Sequence, residues 1–136
     1  MQLKKLDGFN EKRIENASLL SNGIRKLQGL TVPTVDADVK HVFHQYVIKV
    51  EDNFPLNRDE LAERLAQKGV GTGVHYPIPI YMQPLYKKLG YSGIKCPFTE
   101  EACRKVLSLP VHPLVDKEDI KYILSALRYF STELKL

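Results

Sequence analysis

"HVFHQYVIKV", residues 41–50, decides how the rest of the chain is read. Val42, His44, Tyr46, Ile48 and Val50 share one face by period-two counting, and Phe43 and Val47 fall on the other. β-branched and aromatic side chains in that alternation fit a pleated surface buried on one side. The spacing predicts a strand over 41–50. A strand needs partners, and the flanking sequence offers mostly helices.

Upstream, a helix is predicted from about residue 2 to Gln28. Ala17, Leu20, Ile24 and Leu27 keep three- and four-residue spacing, and Leu3, Leu6 and Phe9 extend the stripe backwards. Gly29 is a natural stop. No Ser, Thr, Asp or Asn cap precedes Leu3, so the periodic pattern begins without a start signal. Downstream, Asn57 caps a second helix with Glu60 at the third position and Asp59 beside it. Leu61 and Leu65 form its inward stripe and Gly69 ends it. A short strand, Thr72–Tyr76, then leads into a proline-rich loop. A small helix runs from Pro84 to Gly90, and another opens at Pro97 with Ala102 and Val106 inward. "LSLPVHP", 107–113, is a short extended piece whose prolines suit a sheet edge. Asp116 caps the last helix, with Ile120, Ile123, Leu124 and Leu127 as its apolar face. Helices and short strands in this order point to a two-layer α+β domain. Its sheet is mostly antiparallel and three- or four-stranded, built from 41–50, 72–76 and 108–112. Parallel βαβ pairing is the competing topology.

At 136 residues the chain is read as one domain, 1–136. A chain of this size buries roughly two-thirds of the surface its unfolded form exposes, enough for a core. A composition 43% hydrophobic and 26% charged is ordinary for a globular protein. No run approaches the about 18 apolar residues of a membrane span, and "MQLKKLDGFN" holds no apolar signal region. The expectation is a cytoplasmic protein with no membrane role. Its two cysteines, Cys96 and Cys103, are expected to be reduced; sequence leaves open whether they lie close. Net charge is +4, from 20 basic and 16 acidic residues. Acidic residues break up the basic cluster of the first segment, which reads as a solvated helix face and not a nucleic-acid surface.

Motifs of familiar chemistry are missing. His41 and His44, three apart on a strand, point to opposite faces and cannot share a metal. No Cys/His/Asp cluster has zinc spacing, and G-x-S-x-G, P-loop and G-x-G-x-x-G patterns are absent. One segment stands out: "GVHYPIPIYMQP", 73–84, carries His75, Tyr76 and Tyr81 among prolines at 77, 79 and 84. Proline fixes φ and restricts its predecessor, so this loop is pre-shaped. A stiff loop bearing His and Tyr suits binding; a packed crossover is the plainer alternative.

Whole phrases say more. "QLKKLDGFNEKRIENA", "HVFHQYVIKV", "NRDELAERLAQKGVGTGVHYPIPIYMQPLYKKLGY", "CPFTEEACRKVLSLPVHP" and "DKEDIKYILSAL" follow in order over nearly the whole chain. Together they resemble the C-terminal part of the DegT/DnrJ/StrS family, the pyridoxal-phosphate-dependent aminotransferases of nucleotide-sugar biosynthesis that include perosamine synthetase. The resemblance implies the small C-terminal domain of the aspartate-aminotransferase (fold type I) superfamily, with the large cofactor domain absent. It implies transfer of an amino group, from glutamate, to a nucleotide-linked keto-deoxysugar, in a homodimer or other homo-oligomer. It places His75, Tyr76 and Tyr81 on the substrate side; the family usually carries histidine where this chain has Tyr81. Pyridoxal phosphate belongs to the complete enzyme, and no lysine here sits in a pattern like the cofactor lysine. By itself the chain is then not a competent enzyme. Pro97, Glu100, Ser108, Leu109, Pro110 and Pro113 also match and read as architectural. The alternative is a stand-alone, non-catalytic binding or assembly module that keeps this fold.

Overall fold

A computed structural model describes residues 2–132. A 3-10 turn, Gln2–Lys5, leads into helix α1, Leu6–Ile24, and a two-residue strand β1, Leu30–Thr31. Strand β2, Tyr46–Val50, and helix α2, Arg58–Gln67, follow. After the proline loop come a 3-10 turn at Ile80–Met82, helix α3 at Pro84–Lys88 and a 3-10 turn at Tyr91–Gly93. Helix α4, Pro97–Lys105, runs directly into strand β3, Val106–Leu109, and helix α5, Lys117–Thr132, closes the described chain. The architecture is α+β, as expected.

The sheet has three strands in the order β1-β2-β3, and both pairings are antiparallel, which excludes the parallel alternative. Tyr46 faces Leu109 and Ile48 faces Leu107, while Leu30 faces Val50. Period two then sends Tyr46, Ile48, Val50, Leu107 and Leu109 into one core, where all five are buried. Burying each such side chain contributes about 1.5–3 kcal/mol. α1 packs against α5 over this core. Ala17, Leu20 and Ile24 meet it from α1, and Ile120, Ile123 and Leu127 from α5. Leu61 and Leu65 close it from α2. The helix signals act as read. Asn57 accepts from Asp59 N–H and Glu60 N–H, and the Glu60 carboxylate accepts from Asn57 N–H. Asp116 and Asp119 form the same reciprocal arrangement before α5. Gly29, at φ 83°, ends the first helical segment in a conformation costly for other residues.

Four expectations need correction. The strand starts at Tyr46, not His41. Phe43 has φ 47°, its N–H donates to His41 Nδ1, and the Arg13 guanidinium donates to the Phe43 and His44 carbonyls. Backbone groups satisfied that way have no use for a ladder, so Val42 and His44 end exposed. Thr72–Tyr76 is not a strand; one bridge joins Gly73 to Ser108. The third strand is Val106–Leu109, where 108–112 was expected, because Pro110 has no N–H to extend a ladder. On the other side of β2 the sheet is completed by the unanticipated pair Leu30–Thr31. Finally, the first helix is regular only over Leu6–Ile24, and Leu3, Leu6 and Phe9 lie exposed beyond the core.

One buried polar pair ties α1 to the sheet. Ser21 Oγ and Tyr46 Oη lie 2.9 Å apart. Burial raises the Tyr46 hydroxyl above the ordinary phenol range, with the Ser21 hydrogen bond pulling the other way. Removing one member leaves the other buried and unpaired. Tyr46→Phe or Ser21→Ala should each cost about 1–3 kcal/mol in urea denaturation. The double variant should cost less than the two single losses added together, and strict additivity would show that the pair is not coupled.

Candidate functional site

β3 is engaged along both edges. Val47 pairs with Ser108 on one side, and on the other Gly73 and Ser108 exchange two backbone hydrogen bonds: Gly73 N–H to Ser108 O at 3.1 Å, and Ser108 N–H to Gly73 O at 2.7 Å. Alternation along β3 turns Ser108 away from Leu107 and Leu109. Its hydroxyl therefore faces the loop. His75 Nδ1 sits 3.3 Å from Ser108 Oγ, and a cis peptide bond joins His75 to Tyr76. The two rings meet edge to face, with centroids 6.0 Å apart. Tyr76 is 72% exposed, and His75 is also open to solvent. The structure thus brings His75 and Tyr76 together on an outer surface, both presented from one anchored turn.

Tyr81 has a different setting. It is 8% exposed, and its hydroxyl donates to Glu100 Oε1 at 2.6 Å. The Cys96 N–H donates to both Tyr81 Oη and Glu100 Oε1, each at 3.2 Å. Cys96 is the residue before α4, so this cluster satisfies a free helix-start donor and pins the proline loop to that helix. Desolvation first, and the Glu100 carboxylate second, raise the Tyr81 hydroxyl above the usual phenol range. The same hydrogen bond, followed by that from Cys96 N–H, lowers the Glu100 carboxyl. Glu100, read from sequence as architectural, is the acceptor on which the cluster depends. A glutamate four residues after an uncapped Cys-Pro helix start was the available signal.

Beneath the proline loop, Pro77, Ile78, Pro79 and Met82 form a shallow depression with Pro97, Cys103 and Arg104 of α4. Around it the surface is unusually apolar. Ile80, Leu85, Leu89, Tyr91 and Phe98 are exposed, Phe98 at 88%. Cys96 and Cys103 are both free thiols. Among the described residues no group of three or more His, Cys, Asp or Glu could hold a metal ion. No described helix is long and apolar enough to cross a membrane.

The lysines do not suit a covalently held aldehyde cofactor. Among the described residues only Lys12 and Lys105 are partly buried. Lys12 pairs with Glu15 at 3.0 Å. Lys105 pairs with Glu51, Asp52 and Glu101 at 2.9–3.1 Å, and those carboxylates raise its ammonium well above the ordinary lysine range. An amine held protonated is a poor nucleophile. Among the described residues, neither partly buried lysine offers the free amine that a Schiff base with pyridoxal phosphate needs.

The profile of the DegT/DnrJ/EryC1/StrS aminotransferase family matches residues 1–128. The spore coat polysaccharide biosynthesis protein SpsC of Bacillus subtilis is 32% identical over 130 residues, 93% of this chain and 33% of its own length. The dTDP-3-amino-3,4,6-trideoxy-alpha-D-glucose transaminase of Streptomyces venezuelae is 30% identical over 128 residues, 94% of this chain and 32% of its own. The crystal structure of S. venezuelae DesV in complex with a ketimine intermediate superposes with a TM-score of 0.86 at 29% identity, over 96% of this chain and 34% of that one. The chain spans about a third of the length of the curated relatives it matches.

The Tyr81–Glu100–Cys96 cluster has a pH signature. A carboxyl lowered on folding contributes stability that is complete above its unfolded value, about 4.3, and is lost as pH falls through the lower folded value. Glu100→Gln should therefore be less stable than the parent near neutrality, and the gap should close under acid. Urea denaturation of both proteins across an acid series checks this; a gap independent of pH would remove the carboxylate's charge from the account.

Proposed function

This chain belongs to the DegT/DnrJ/EryC1/StrS aminotransferase family, and we propose that it serves as the substrate-side C-terminal domain of a nucleotide-sugar aminotransferase. The complete enzyme transfers an amino group from glutamate to a nucleotide-linked keto-deoxysugar. Pyridoxal phosphate would supply the electron sink for that transfer, and on this reading it is held by a large domain outside the present chain. The observation that carries the reading is the outward presentation of His75 and Tyr76 from a segment anchored to β3 and α4. Relatives named as sugar transaminases support the substrate class.

The chemistry of those two side chains suits a hexose. A tyrosine offers an apolar face with a hydroxyl at its tip, and an imidazole can donate or accept. A pre-shaped loop loses little freedom on binding, so more of the contact energy appears as affinity. Tyr81 enters differently: its hydroxyl is spent on Glu100 and Cys96, so its contribution is to hold the loop that carries the other two. The apolar surface around Ile80, Leu85 and Phe98 is the face that a large domain or a second subunit would cover. That the complete enzyme is a homo-oligomer follows from the same reading.

A stand-alone binding module is the second reading; the lack of a cofactor amine among the described lysines fits both, and the complete enzyme's activity separates them. Titrating this chain with pyridoxal phosphate should give no stoichiometric adduct at one lysine and no spectral conversion on adding glutamate. In the complete enzyme, His75→Ala and Tyr76→Phe should weaken use of the sugar nucleotide by about tenfold each. The glutamate half-reaction should be nearly unchanged. Equal losses in both half-reactions would sink the sugar-side assignment, and a glutamate-dependent spectral change in this chain alone would sink the division of labour.

A further inference from the structure

We propose that Ser108 is a positioning residue for His75. Together with Gly73 it forms a seat that fixes the imidazole ring and leaves Nε2 as the nitrogen with no hydrogen-bond partner among the described residues. The inference rests on the substrate-side reading of His75 for its consequence, but not for its geometry.

Two independent observations define the seat. The first is the hydroxyl. Ser108 is 8% exposed, its backbone is locked between β2 and Gly73, and its Oγ has His75 Nδ1 as its one hydrogen-bond partner among the described residues. A buried hydroxyl left without that partner would forfeit a hydrogen bond, so the contact holds at both ends. The second is the bare Cα of Gly73. A Cβ there would stand 2.6 Å from His75 Cε1, closer than real side chains approach, and a tight 3.3 Å from Nδ1. The ring occupies the space that any other residue at 73 would fill. Ser108 holds one edge of the imidazole, and the missing Cβ admits the adjoining edge.

The consequence is directional. With Nδ1 engaged by Ser108, Nε2 makes no hydrogen bond among the described residues. It is the nitrogen left for an incoming hydroxyl or carbonyl. Because Gly73 and Ser108 are bonded through two backbone hydrogen bonds, the ring is referenced to the sheet and through it to the core. A substrate contact made by Nε2 is thereby held in register with the fold, although His75 itself lies on a loop. Fixed contacts of this kind raise affinity by reducing the ordering left to do on binding.

The seat can be read by nuclear magnetic resonance on this chain, without any substrate. The parent should show a strong cross-peak between the His75 Hε1 proton and the Gly73 Hα protons. Ser108→Ala should weaken it and broaden the ring's orientations, while the amide spectrum of β2 and α5 stays as in the parent. Gly73→Ala, which does not remove the serine, should expel the ring and weaken cross-peaks between His75 and the Ser108 Hβ protons. If Ser108→Ala does not fold, the Gly73 variant carries the test. An unchanged His75–Gly73 cross-peak in Ser108→Ala, or an undisplaced ring in Gly73→Ala, overturns the proposal. In the complete enzyme Ser108→Ala should raise the KM for the sugar nucleotide about fivefold, the worth of one hydrogen bond, with the glutamate half-reaction unchanged. Altered cross-peaks with an unaltered KM would support the seat and retire the sugar-side role of His75 instead.

Discussion

Antiparallel pairing of Tyr46–Val50 with Val106–Leu109 is the constraint on which the rest of the molecule depends. The ladder is short, but it has two faces with different work. Leu107 and Leu109 join Tyr46, Ile48 and Val50 in the core, and α1, α2 and α5 cover them. Ser108, between them, is turned by the pleat to the opposite side, where it meets the loop. A slip of one residue would exchange these faces, exposing two leucines and burying a hydroxyl without its partner. Core register and loop geometry are therefore one choice, made by the same four residues.

The loop is held at two further levels. Near its start, Gly73 adds itself to the outer edge of β3 by a reciprocal pair of hydrogen bonds, covering an edge that would otherwise be open. Farther along, Tyr81 and Glu100 bind it to the first turn of α4, and α4 continues straight into β3. Both attachments lead to the same strand by different routes. Between them the prolines remove backbone freedom without hydrogen bonds. The result is an exposed segment, carrying an open histidine and tyrosine, whose position is set by the interior.

Charge is arranged with similar economy. Lys105, at the end of α4, gathers three carboxylates, Glu51 and Asp52 just after β2 and Glu101 of its own helix. Arg58, buried at the start of α2, donates to the Cys103 and Val106 carbonyls at that same junction. These contacts satisfy carbonyls and acids where a helix becomes a strand without an intervening loop.

Sequence alone determined the elements whose causes are local. Asn57 with Glu60 and Asp116 with Asp119 are caps made within four residues, and the stripes Ala17–Leu20–Ile24 and Ile120–Ile123–Leu127 are helical periodicities that the core accepts unchanged. The antiparallel α+β class and the grouping of His75 with Tyr76 were legible for the same reason, as was the family. Tertiary structure decided whatever needed a distant partner. Arg13, some thirty residues away, claims the carbonyls of Phe43 and His44 and so cuts a ten-residue alternating pattern to a five-residue strand. Glu100 draws the Tyr81 hydroxyl inward, although the aromatic, proline-rich stretch gives no sign that one of its tyrosines is taken. Ser108 reads as a strand serine until the fold brings Gly73 and His75 against it. Periodicity records which face of an element is apolar; it carries no information on which polar group across the fold will meet it.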